Sequence, residues 1–205
     1  VSLLRISARH AQRGGITIYT MLRENEVIIR QTKIFGRNEF AIEAPTGQPL
    51  GTARQTKLNM KDVLSRASRQ VDVFDAGGTH LISIEDPIDL IRDSYTVRLV
   101  TPAMELARLT SRFKLMGSKF DLDIAGFPEV QVEGKVFNRN YTLTSQGRPI
   151  AHVVAEYKGF GRELTGKSDY RVQFEPELSE RQHAAILGVV IAIDMWRVKR
   201  RQQSS

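Results

Sequence analysis

Arginine and lysine supply the chemistry most visible in this chain. Arg108, Arg112, Lys114 and Lys119 follow one another with no acidic residue between them. Lys158, Arg162, Lys167 and Arg171 surround a glycine-rich stretch, GFGRELTG, at 159–166. Arg37 and Arg139 each precede an asparagine in two similar local sequences, and Arg197, Lys199, Arg200 and Arg201 follow Trp196 in a terminal WRVKRR stretch. Guanidinium forks match phosphate oxygens in pairs, and ammonium groups add point charge, so these clusters point to phosphate-bearing anions. A hairpin tip at 159–166 would add backbone N–H groups to such a site. Each cluster also has a plainer reading, as a solvated strand face or turn. The terminal cations, with Trp196 placed at a lipid interface, suit an anionic membrane; they equally suit the negative pole of a helix macrodipole.

No catalytic apparatus accompanies these cations. His10, His80, His152 and His183 lie far apart, with no spacing that suggests a metal site or a triad. Cysteine is absent, which excludes disulfides, thiolate metal sites and cysteine nucleophiles. GFGREL has only a GxG after Tyr157 and lacks the third glycine of a dinucleotide-binding turn. Glu85, Asp86 and Asp89 flank Pro87 and read as a turn. Asp121, Asp123 and Gly126 match three positions of a calcium loop, but Ala125 and Val132 stand where two further oxygen ligands belong. Asp121 and Asp123 are therefore weak calcium candidates, and strand alternation explains them as well. The expectation is a non-enzymatic protein with no cofactor and no metal.

The elements that must position the cations are mainly strands. Phe120, Leu122 and Ile124 alternate with Asp121 and Asp123; Val130 and Val132 alternate with Glu129, Gln131 and Glu133; Tyr170, Val172 and Phe174 alternate with Arg171 and Gln173. Ile82 and Ile84, then Val97 and Leu99, do the same. Period two with one apolar face reads as half-buried strand. PTGQP at 45–49, DAGG at 75–78 and SQGRP at 145–149 mark turns between them. Two short helices are predicted at 60–68 and 102–113, the second with Pro102 suited to a first helical position. A third and stronger helix is predicted at about 179–200, opened by a Ser179–Gln182 capping box.

A repeat organises the strands. IFGRNEFAIEAPTGQPLGTA from Ile34 aligns with VFNRNYTLTSQGRPIAHV from Val136, matching Phe35 to Phe137, Arg37 to Arg139 and Phe40 to Tyr141. This predicts one domain, 1–205, with related halves at about 20–100 and 101–178. Two half-sheets with apolar inner faces close into a barrel, and a wide barrel needs a plug. The stretch 184–193 is apolar on every helical face, as a fully buried helix is. It is too short to span a bilayer, which takes about 20 apolar residues, and Asp194 interrupts it. An acid at the end of a buried helix needs a donor, either an arginine of the barrel wall or solvent at the mouth.

Charge gives the partner class. Thirty Lys and Arg against 23 Asp and Glu leave a net charge of +7, which favours phospholipid headgroups or nucleic acid. Aromatic residues are 7% of the chain and fall mostly on alternating core faces, so no stacking platform for nucleic acid is visible; nucleic acid is the alternative partner. VSLLRISARHAQRGG carries no apolar core with a small-residue cleavage site, so no secretory signal and no transmembrane span are expected. A cytoplasmic setting, peripheral to a membrane, fits.

The paired stretches FAIEAPTGQPLGTARQ (40–55) and YTLTSQGRPIAHVVAE (141–156), with the final GVVIAIDM (188–195), resemble the LURP-one-related proteins. Those belong with the phospholipid scramblases and the tubby C-terminal domain. The resemblance implies a closed antiparallel barrel of about twelve strands around a buried hydrophobic C-terminal helix. It also implies phosphoinositide binding by surface cations, as in tubby domains, or calcium-dependent lipid movement, as in scramblases. The chain departs from the scramblases in lacking their cysteine-rich palmitoylation stretch and Pro-rich N-terminal region.

Overall fold

Apolar residues two apart, facing one way on neighbouring strands, build a closed wall. The computed structural model describes residues 20–33, 39–56, 69–87, 93–113, 118–156 and 169–203. Its strands are β1 (Glu26–Lys33), β2 (Glu39–Glu43), β3 (Pro49–Gln55), β4 (Arg69–Asp75), β5 (His80–Asp86), β6 (Ser94–Leu99), β7 (Met104–Phe113), β8 (Ser118–Ile124), β9 (Phe127–Lys135), β10 (Asn140–Ser145), β11 (Arg148–Glu156) and β12 (Asp169–Phe174). One α-helix, α1 (Glu180–Gln203), follows them. Each strand pairs antiparallel with its sequence neighbours, and β1 pairs with β12 through Val27 opposite Val172 and Ile29 opposite Tyr170. The barrel is thus closed, and no sheet edge is left to recruit another chain.

The inner faces of the strands meet α1. From His183 to Arg197 every residue of the helix is buried, so the barrel's core is a helix with no solvent face over four turns. The capping box opens it as the sequence predicts: Gln182 N donates to Ser179 Oγ, and Ser179 N donates to Gln182 Oε1 at 2.9 Å. His183 Nδ1 donates to Leu22 O and its ring lies on Phe174. Gly188 gives the closest approach to the wall, because a Cβ there would overlap Val97 Cγ1 on β6. At about 1.5 Å per residue the helix is long enough to thread the barrel from one mouth to the other.

The predicted helix at 102–113 is a correction. Those residues form most of β7, paired with β6 and β8 along its length. Arg108 and Arg112 share the outer face of a strand, not of a helix. The predicted helix at 60–68 lies outside the described residues. The repeated segments fall on the hairpins β2–β3 and β10–β11, which share an irregularity. The register slips between Ile42 and Glu43 in one, and between Leu143 and Thr144, the aligned pair, in the other. Gln146 and Gly147 close the second hairpin with φ of 49° and 73°, the left-handed pair that a two-residue turn between twisted strands requires.

Candidate functional site

The connectivity sorts the chain's links onto two ends. α1 enters the barrel at one mouth, where five short turns (44–48, 76–79, 100–103, 125–126 and 146–147) join the strands. It leaves at the far mouth, where β1–β2, β3–β4, β5–β6, β7–β8, β9–β10 and β11–β12 are joined. The five short turns contain no charged residue. The six far connections contain ten Lys or Arg against four acids, and the basic end of α1 emerges among the strand ends they join. The charges of the entry mouth lie instead on the segments flanking β1 and α1, where Arg23 pairs with Glu180 and the link from β12 carries Glu175 and Glu177; among the connections between strands, the cations fall at the far end.

Inside this mouth lies a buried ionic cluster. Arg139 closes a 3-10 turn (Val136–Asn138) between β9 and β10 in the left-handed region, φ 51°, ψ 43°. A non-glycine residue there is uncommon. The side chain it directs inward gives the reason: Arg139 Nε donates to Asp194 Oδ1 at 3.0 Å. Arg197, one helical turn beyond, donates to the same oxygen from Nε at 3.1 Å and to Phe137 O from Nη1 at 2.9 Å. Arg139, Asp194 and Arg197 are 4%, 2% and 3% exposed. Burial lowers the Arg197 pKa, and the Asp194 charge opposes that. Burial raises the Tyr141 and Tyr170 hydroxyls well above their usual range, and Asp194 raises them further. One carboxylate oxygen thus joins a guanidinium of the wall to one of the helix, so the cluster is a latch between the helix end and the barrel wall. The sequence predicts a donor for Asp194; the donors are Arg139 and Arg197.

The predicted anion-binding residues divide three ways. Arg37, Lys114, Lys158, Arg162 and Lys167 lie outside the described residues; the strand ends flanking them are all at the far mouth. Lys119 lies on β8, with its side chain outside the described set. The others are engaged. Arg108 is mid-strand and exposed, held by Glu105 at 3.1 Å. Arg112 pairs with Asp121, its diagonal neighbour on β8. Lys199 and Arg200 reach Asp93 at 2.7 and 3.1 Å, and Arg201 is exposed. The calcium candidates gain nothing: Asp121 is bound to Arg112, Asp123 faces outward beside Arg108, and no cluster of three metal-ligating side chains occurs among the described residues.

The aromatic of the basic end is also corrected. Trp196 is not an interfacial anchor; it is buried, edge-on to Phe120 and tilted against Phe137 with centroids 5.3 Å apart. Among the described residues the exposed ring at this mouth is Phe137, beside Lys135, an exposed cation with no carboxylate partner among them. Sequence reading passed over both. The repeat, which pairs Phe137 with Phe35 beside each Arg-Asn turn, was the available signal.

A closed meander of twelve strands around a C-terminal helix is the architecture the resemblance implies, and a family model now decides the membership. The LURP-one-related model matches residues 25–194. The chain belongs to the LURP-one-related family. An X-ray structure of a protein from Arabidopsis thaliana is similar over 82% of this chain and 91% of its own length, with 13% identity and a TM-score of 0.50. At that identity the likeness concerns the fold alone. No curated protein matches. The LURP-one-related match runs from the start of β1 to Asp194, so it takes in the whole wall and the acid of the latch.

Proposed function

We propose that this LURP-one-related chain is a non-enzymatic binding barrel whose far mouth engages phosphate-bearing anions, phospholipid headgroups foremost, peripherally to a membrane. The observation that carries the reading is the uneven composition of the connections: five short turns without charge at one mouth, and at the other, leaving out the buried Arg139, nine cations against four acids. Clustering of one sign at one end raises the local potential and attracts multivalent anions from a distance. Ion pairs among the described cations argue for a diffuse attraction over a built phosphate clamp. No helix among the described residues is long and apolar enough to cross a membrane, so association through α1 would be peripheral.

Co-sedimentation with phosphatidylcholine vesicles carrying increasing phosphatidylserine tests it. Binding is expected to rise with the anionic fraction and to fall as salt shortens the screening length to about 8–10 Å near physiological strength. It is expected to be indifferent to calcium or chelator, because Asp121 is held by Arg112. Absence of vesicle binding at low salt sinks the reading, and salt-dependent gel shifts with RNA or DNA in its place would give the mouth to nucleic acid.

A further inference from the structure

The far mouth carries an apolar feature that attraction between charges does not use. Among the described residues, two large hydrophobic side chains are exposed, Phe137 and Val154, each at 43%. They are neighbours in the fold. Asn140, three residues after Phe137, lies opposite Lys135 on β9 and opposite Val154 on β11. Both apolar groups therefore occupy one sector of the rim, at the start of β10. We infer that Phe137 and Val154 form a docking tip that enters the interfacial layer of an anionic bilayer; this deepens, and rests on, the reading of the far mouth as an anion-binding end.

Three observations favour a bilayer as the occupant. The tip sits beside unshared positive charge: Lys135 has no carboxylate partner among the described residues, and the connections of this mouth are strongly basic. Cations around exposed apolar groups match the layered chemistry of an anionic interface, with phosphates outermost and acyl chains beneath. The tip is also fixed in advance. Arg139 holds the turn in its left-handed conformation, Arg197 binds the Phe137 carbonyl, and the Phe137 ring rests on Trp196. A ring already ordered loses little conformational freedom when it inserts. Finally, Phe137 stands on a connection at the end of the barrel, not on the side of a strand.

Trp196 is the chain's single tryptophan and lies directly beneath Phe137, so it serves as a native reporter. Mixed phosphatidylcholine–phosphatidylserine vesicles with acyl chains brominated near the headgroup should quench its emission. Phe137→Ala and Val154→Thr should each lower vesicle partitioning, by about five- to tenfold for the phenylalanine. Neither should change the slope of binding against salt, since no charge is removed. Val154→Thr guards against a folding defect, because its side chain points outward from a paired strand. Failure of the wild type to bind these vesicles would overturn both readings. Wild-type binding that neither variant weakens, or that leaves Trp196 unquenched, overturns the tip alone. So does a change in oligomeric state with vesicle binding intact, which would make the tip a contact between copies.

Discussion

At the scale of single residues, context decides what a charge is worth. Arg108 with Glu105 and Arg139 with Asp194 are both ion pairs near 3 Å, yet one is exposed and the other sealed in the barrel. Exposed pairs contribute about 0–1 kcal/mol, whereas removing one partner of a buried pair costs about 3–5 kcal/mol, because the remaining charge stays buried without compensation. Asp194→Ala would strand two guanidiniums, so its urea midpoint should fall by an amount in the larger range, while Arg108→Ala should stay within about 0.5 kcal/mol of wild type. Comparable losses for the two variants would mean that the latch is open to solvent. Part of this was legible beforehand: an acid closing an apolar helix has to find a donor. The identity of Arg139 as donor was not, since it lies 55 residues away and reaches Asp194 only because the β9–β10 turn adopts a left-handed residue.

At the scale of elements, local preference and closure compete. PAMELARLTSRF is rich in strong helix formers, and a helix is the natural reading. As β7 the same residues satisfy two ladders, with β6 and β8, which would otherwise be open edges; tertiary pairing outweighs a propensity of a few tenths of a kcal/mol per residue. A register slip on β6–β7 places Leu106 and Ala107 inward in succession, which breaks the period-two signature and hid the strand. Gly188 shows the converse, a residue poor for a helix yet right for its place. Replacement by alanine gains about 1 kcal/mol of helix propensity. Against that, its Cβ would collide with Val97, and overpacking typically costs about 1–3 kcal/mol. Gly188→Ala should therefore lower stability, and Val97→Ala should relieve it in the double variant, giving a favourable coupling in a thermodynamic cycle. A stabilised Gly188→Ala would show that α1 and β6 are not in such close contact.

At the scale of the molecule, the strands and the plug were legible because alternation and an all-apolar helix are written locally. The site was not, because which cations are already paired depends on register: Arg112 and Asp121 are nine residues apart in sequence and meet only across β7 and β8. The uneven charge of the connections likewise appears only when the links are sorted by topology. The same topology makes a claim about folding. α1 has no solvent face from His183 to Arg197, so it cannot be a stable helix outside the wall; among the described residues the wall's apolar inner face is covered by α1, with Met21 and Leu22 adding to the same core. Neither part owns a core, so neither should persist without the other, even though chains above about 150 residues often populate intermediates. Trp196 reports the helix inside the barrel, and the β-sheet component of the infrared amide I band reports the strands. Their denaturant transitions should coincide, with one midpoint and one slope. A Trp196 transition at lower denaturant than the loss of strand signal would mean that the barrel stands with its helix withdrawn, and the helix would then be a removable part and not the core.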